Sequence, residues 1–253
     1  MPQIHCNSIK NIQWLTTVPD TFNTRDNIHV WRVKISEGIK FLNDFPSILN
    51  IGEKEKAASY KNERDKNRSI ISRGVLRMLI GKYINLAPKK IEFEKALDHK
   101  PFVGNTAGVD LHYNVSHSGD WILIAVAENA IGIDIEEVDR NFDYREILTA
   151  CFSDAESNYI HQSLQPQESF YTLWTRKEAL IKATAKGLDD EILLIPCMDG
   201  DHEVNADLIH STVNWEVRSF QPEESYVAGI AHQPLGQEIV FYEAGNFIKE
   251  LEA

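Results

Sequence analysis

The sequence has few cysteines, few glycine-rich stretches, no long apolar run and no excess of positive charge. Its three cysteines, Cys6, Cys151 and Cys197, are scattered and odd in number. They have no metal-ligand spacing and read as free thiols in a reducing compartment. The longest unbroken apolar run is Trp121–Ala127, far short of the roughly 20 residues that span a bilayer. Met1–Asn7 has no basic segment leading into an apolar one, so a secretory signal is not expected there. These absences point to a cytoplasmic protein with no membrane segment. A net charge of −12 argues against general nucleic-acid binding.

What is present is ordinary globular composition, 43% hydrophobic and 25% charged over 253 residues, enough for one large domain or two small ones. Charge is unevenly spread. Residues 53–100 carry 13 basic against 7 acidic side chains, a local +6, which leaves −18 on the rest. Such a segment suits an anionic ligand or partner, or simply two solvated amphipathic helices. Val30–Ile35 alternates as a half-buried strand should. From Gly52 to about Tyr83 the pattern is helical, with Ile71, Val75, Met78 and Leu79 on one stripe, breaking near Gly81 and ending before Pro88. Short strand-like runs follow at Ile91–Phe93, Tyr113–Val115, Ile122–Ala127 and Ile131–Ile135. Helical patterning returns between Asp154 and Ala185, and strands return at Val213–Phe220, Tyr226–Ala231 and Ile239–Tyr242. This segregation predicts an α+β fold, with two related halves meeting near residue 130.

Ile131-Gly-Ile-Asp134-Ile-Glu136 is the most informative stretch. On a strand the three isoleucines share one face, while Gly132, Asp134 and Glu136 share the other. Carboxylates at i and i+2 lie roughly 6.5 Å apart along a strand, close enough to converge on one hard cation such as Mg²⁺ or Mn²⁺. Gly132 leaves room for a ligand to approach the backbone. Taken alone, the same pattern is equally that of an exposed acidic strand face. A second stretch, Trp174-Thr-Arg-Lys177-Glu178-Ala-Leu-Ile-Lys182, reads as a helix capped by Gly187. Glu178 emerges beside Trp174 and Ile181, where a carboxylate needs a partner. That partner is either Lys182 at i+4 or a shared metal. Lys177, Lys182 and Lys186 would suit phosphate oxygens. A third stretch, Tyr113-Asn-Val-Ser116-His117-Ser-Gly119, runs from a strand into a turn.

Jointly these segments resemble the Sfp-type 4′-phosphopantetheinyl transferases. The matching residues are His99-Lys-Pro-Phe102, Tyr113–Ser118, Gly132–Glu136, Phe152-Ser153, Trp174-x-x-Lys-Glu-x-x-x-Lys182 and Lys186-Gly-Leu188, with His99 where relatives often carry glycine. The resemblance implies a pseudodimer of two α+β halves, residues 1–130 and 131–253, with the active site at their junction. It also implies a monomer, because the length suits the long branch of the family and not the trimerising short one. The implied reaction is Mg²⁺-dependent (or Mn²⁺-dependent) transfer of the 4′-phosphopantetheine arm from coenzyme A to a serine of an apo carrier protein (acyl, peptidyl or aryl), leaving adenosine 3′,5′-bisphosphate. Such carriers serve fatty-acid, polyketide or nonribosomal-peptide synthesis. Asp134 and Glu136 would be the paired metal acids, and Glu178 a metal ligand, a general base or both. Lys182 and Lys177 would hold the coenzyme A phosphates, Ser116 and His117 its 3′-phosphate region, and Lys100 a further part of the nucleotide. Arg73, Arg77 and Lys82 are candidates for steering an acidic carrier or binding coenzyme A. The competing readings are a catalytically silent carrier-binding relative and a Mg²⁺-dependent phosphohydrolase.

Overall fold

The computed structural model describes residues 1–249 apart from residues 20, 97–100, 105 and 107. Three strands come first: β1 (Gln3–Ser8), β2 (Trp14–Leu15) and β3 (Asn27–Lys34). The short helix α1 (Ile35–Gly38) leads to α2 (Ile51–Ser59) and α3 (Glu63–Tyr83). A ribbon of β4 (Phe93–Lys95) and β5 (Pro101–Val103) precedes the hairpin β6 (His112–Ser118) and β7 (Trp121–Ala127). After β8 (Ile131–Glu137) come α4 (Arg145–Cys151), α5 (Asp154–Gln162) and α6 (Pro166–Thr184). The chain closes with β9 (Gly200–Glu203), β10 (Trp215–Phe220), β11 (Tyr226–His232), β12 (Glu238–Glu243) and α7 (Ala244–Ile248).

The strands form two five-stranded sheets, ordered β8-β11-β10-β1-β9 and β2-β12-β3-β7-β6. Each covers one face with a long helix and turns the other face toward its partner sheet. Alternation along single strands explains how. Trp31 and Val33 of β3 pack with Val75 and Leu79 of α3, while Ile28 and Val30 meet Ile131, Ile133 and Ile135 of β8 across the sheet–sheet core. On the far side Ala179, Leu180 and Ala183 of α6 pack on Ile4, Val217 and Ala231. The chain is thus the α+β pseudodimer expected, layered helix, sheet, sheet, helix. Each half also borrows a strand: β1 pairs with β10, and β12 pairs with β3, both in parallel.

Local chemistry divides the helical stretch that hydrophobic periodicity joined. Asn50 and Glu53 form a reciprocal capping box that starts α2, and Asn62 caps α3 by accepting from the Arg64 N–H. The chain extends between them at Tyr60. α3 ends at Tyr83, two residues past Gly81 and before Pro88, where the sequence pattern places its end. Gly81 allows the chain to fold back there, with the Leu86 N–H on its carbonyl at 2.9 Å. A Cβ there would stand 2.6 Å from the Leu86 carbonyl oxygen. Arg77, a candidate for steering a partner, is fully buried. It binds Glu53 at 2.7 Å and the carbonyls of Pro88 and Ile91, so its charge is spent inside the fold. Arg73 pairs with the same Glu53 carboxylate and stacks on Phe93. No helix among the described residues is long and apolar enough to cross a membrane.

The N-terminal half encloses a polar trio. Trp31 Nε1 donates to the Tyr83 hydroxyl at 2.9 Å, so that hydroxyl donates in turn to His29 Nδ1 at 2.6 Å. Burial pushes the His29 pKa down to about 4, and the ring is neutral in the folded state. The unfolded chain takes up this proton below about pH 6.5, so the resulting stability is complete above that pH and falls as pH drops toward 4. At 1.36 kcal/mol per unit the loss is about 3 kcal/mol. Urea unfolding at pH 7 and 4.5 should show this fall in the wild type and a shallower one in His29→Gln.

Candidate active site

Alternation on β8 places its side chains as the sequence predicts, but the second face is not solvent. Ile131, Ile133 and Ile135 enter the sheet–sheet core, and the opposite face lies under α6. The open space expected at Gly132 is filled. A Cβ there would lie 2.0 Å from the Ala179 carbonyl oxygen and 2.5 Å from the Ala183 nitrogen. Gly229, which faces Asp134 across the β8–β11 ladder, is in the same position, since a Cβ on it would lie 2.4 Å from the Thr175 carbonyl oxygen. Two bare backbone positions on adjacent strands let the helix settle directly on the sheet. That descent brings Glu178 and Lys182, one turn apart, over the acidic end of β8.

Lys182 Nζ lies 2.6 Å from Asp134 Oδ1 and 3.1 Å from Ser116 Oγ. The Ser116 hydroxyl therefore donates its own proton to Asp134 Oδ1, at 2.8 Å. Asp134 is 4% exposed, and its other oxygen, Oδ2, is buried with no partner. An orphan carboxylate oxygen in a buried site costs free energy unless something binds it. Glu178 is pushed up to about pKa 7, by partial burial first and then by the negative charge of Asp134, with Lys182 opposing and Glu136 adding. Glu136 is also raised, by burial and then by Asp134. The three predicted acids are therefore near neighbours, and one ammonium does not fully offset their charge. Among the described residues no group of three or more His, Cys, Asp or Glu side chains is already arranged to hold a metal ion. The donor set nevertheless fits a hard divalent cation: carboxylate oxygens only, one of them buried and unbound, with unrelieved like charge around it.

Strand β6 supplies the other wall. Asn114, Ser116 and Ser118 bond to β8, while Tyr113, Val115 and His117, together with Asn114, line a cavity of about 680 Å³. Lys182 reaches this cavity from the acid end, and Lys56, Arg68 and Arg73 line its α2–α3 side. His117 is held below its usual range by partial desolvation and by the charge of Arg68. Glu53 and Asp65 share the α2–α3 wall, paired with Arg73 and Arg68, so the candidate site is an acidic end joined through Lys182 to a hollow of mixed, net positive charge.

Not every predicted residue belongs to this group. Lys177 is fully buried on the other flank of α6, bonded to Glu156 and the Ile192 carbonyl, each at 3.0 Å, and set over the Phe152 ring. Lys186 pairs with Asp189 and Glu191. The left-handed residue that ends α6 is Ala185, at φ 58°, not Gly187. Lys100 lies outside the described residues. Arg68 and Ser118 were not singled out in the sequence. Ser118 could have been, because it repeats the alternation that placed Asp134 and Glu136.

Residues 130–231 match the family model described as the 4′-phosphopantetheinyl transferase superfamily, and residues 40–129 match the one described as 4′-phosphopantetheinyl transferase, N-terminal. The chain belongs to the 4′-phosphopantetheinyl transferases. It is 27% identical to 4′-phosphopantetheinyl transferase HetI of Nostoc sp. strain PCC 7120 over 237 residues, covering 90% of this chain and 97% of that protein. Against 4′-phosphopantetheinyl transferase gsp of Aneurinibacillus migulanus it is 34% identical over 139 residues, 54% of this chain and 56% of the relative. Against Sfp of Bacillus subtilis (strain 168) it is 28% identical over 202 residues, 77% and 88% of the two chains. Membership makes the chain a transferase that works on carrier proteins.

The packing makes a direct prediction. Gly132→Ala would press a methyl group into helix backbone that has no flexible end to move. It should cost about 3 kcal/mol, at the upper end of ordinary overpacking. Urea denaturation measures it, and a loss below about 1 kcal/mol would contradict the contact described.

Proposed function

We propose that the chain transfers the 4′-phosphopantetheine arm of coenzyme A to a serine hydroxyl of an apo acyl, peptidyl or aryl carrier protein, releasing adenosine 3′,5′-bisphosphate. The observation that carries this reading is the meeting of Glu178 and Lys182 from α6 with Asp134 and Glu136 from β8, beside a cavity that Lys182 also lines and whose charged walls carry a net positive charge. In this reading the nucleotide end of coenzyme A occupies the cavity. His117 and Arg68 meet its 3′-phosphate, and Ser116 lies beside it. Lys182 exchanges part of its contact with Asp134 for a pyrophosphate oxygen, which fixes the phosphorus to be attacked. Glu178 takes the proton of the carrier serine as its oxygen attacks the β-phosphorus. The bond from that phosphorus to the bridging oxygen breaks, and the electron pair leaves on the bisphosphate.

Asp134, Glu136 and Glu178 would hold Mg²⁺ or Mn²⁺, which when bound supplies positive charge against that developing on the pyrophosphate oxygens. Lys100 is proposed as a further nucleotide contact, and Lys177 has no part in binding. The enzyme is proposed to act as a cytoplasmic monomer with halves meeting at residue 130, the position where the two family matches also adjoin.

Incubation with coenzyme A, Mg²⁺ and a panel of apo-carriers should add a phosphopantetheine arm, read by intact-protein mass spectrometry. Glu178→Gln and Asp134→Ala should each lower the rate by about 10² or more while circular dichroism stays unchanged. Absence of transfer to all carrier types refutes the reading, and cleavage of coenzyme A without a carrier would mark a phosphohydrolase instead.

A further inference from the structure

β6 and β8 are edge strands of different sheets, yet they are joined side by side through side chains. Asn114 Oδ1 accepts the Ile133 N–H at 3.0 Å. Two residues on, Ser116 Oγ donates to Asp134 Oδ1 at 2.8 Å. Two further on, Ser118 Oγ accepts the Glu137 N–H at 3.0 Å and stands 2.9 Å from Glu136 Oε2. The order of these last contacts has a consequence. A serine hydroxyl has one proton. With the Glu137 N–H arriving on the oxygen, that proton is directed to Glu136 Oε2. Asp134 and Glu136 therefore each have one oxygen held by a hydroxyl of β6, and Asp134 Oδ2 is buried without a hydrogen-bond partner. The turn that follows is rigid. Gly119 stands at φ 54°, a Cβ on it would strike the Tyr226 hydroxyl, and that hydroxyl accepts the Asp120 N–H at 3.2 Å.

We propose that Ser118 is a positioning residue for Glu136: its hydroxyl fixes the carboxylate by Oε2 so that the other oxygen meets the cation that Asp134 also binds. The inference rests on the transfer reading above and deepens its acidic site. Hydroxyls that orient a ligating carboxylate typically govern metal affinity 10–100-fold. Ser118 does so from the opposite half of the pseudodimer, so the metal site would be built by the contact between halves and not by the C-terminal half alone.

The test compares wild type, Ser118→Ala and Ser118→Thr. Each is titrated with Mn²⁺ in the absence of coenzyme A, with free ion followed by electron paramagnetic resonance. Each is then melted and assayed for transfer. Ser118→Ala should weaken Mn²⁺ binding about 10–100-fold and lower kcat comparably, leaving the KM for coenzyme A within about twofold. Ser118→Thr, which keeps the hydroxyl, should bind Mn²⁺ nearly as wild type does. If Ser118→Ala does not fold, Ser118→Cys, similar in size with a poorer donor, should show the same loss. A variant that melts lower but binds Mn²⁺ unchanged would reduce Ser118 to a structural tie on the Glu137 N–H and overturn the proposal. Wild type that binds no Mn²⁺ overturns it too. Wild type that binds Mn²⁺ through Ser118 yet transfers nothing would sink the transfer reading and leave the positioning role standing.

Discussion

Most of what is particular to this molecule depends on how closely α6 lies on β8 and β11. Helices usually rest on a cushion of sheet side chains; here Gly132 and Gly229 remove that cushion at two neighbouring points, and helix backbone meets strand backbone. The approach lets short side chains act together. Asp134 could not bond a lysine one turn along the helix from Glu178 if either element stood a side chain's length away. The same approach explains why α6 is anchored on its flanks by buried cations. Arg176 reaches the Asn7 and Cys197 carbonyls and Asp199, and Lys177 reaches Glu156 and the Ile192 carbonyl. Buried charges are costly unless every donor is matched. Here the matching partners come from β1, α5 and the segment before β9, which pins the helix from several directions.

Against that rigid frame the acidic site is electrostatically unbalanced. Lys182 and Ser116 satisfy one oxygen of Asp134, while the other is buried without a partner, and Glu136 and Glu178 are both shifted toward their neutral forms. Strain of this kind persists only when surrounding structure holds the groups in place. The cation and phosphates proposed above would relieve that imbalance. The neighbouring cavity has Lys56, Arg68 and Arg73 on its α2–α3 wall, the two arginines paired with Asp65 and Glu53, and His117 on the shared strand.

The two halves are fastened by more than their core. Each contributes a terminal strand to the other's sheet. Arg32 of β3 is stacked between Trp14 and Trp121, and it binds Glu243 and the carbonyl of Pro222, in the loop between β10 and β11. The β6–β8 contact completes the junction at the other end, where side-chain hydroxyls take the place of a backbone ladder. A site formed at such a junction is sensitive to how the halves sit, which makes the strand exchange relevant to function as well as to stability.

Period-two alternation was enough to separate the isoleucine face of β8 from Asp134 and Glu136, and period 3.6 placed Ile71, Val75 and Leu79 in the core, because each depends only on neighbours along the chain. The α+β order and the family resemblance were legible for the same reason. Residue type alone did not reveal the fate of charges. Arg77, Lys177 and Lys182 look alike in sequence, but the first two are consumed by Glu53 and Glu156, from segments more than twenty residues away, and only the third faces the acids. Gly132 suggested space for a ligand, yet space beside a glycine belongs to whatever packs there, and that is α6. The terminal strands β1 and β12 carried no signal of which sheet they join, since pairing partners are chosen by long-range closure. Sequence determined which residues could do chemistry; tertiary packing decided which of them meet.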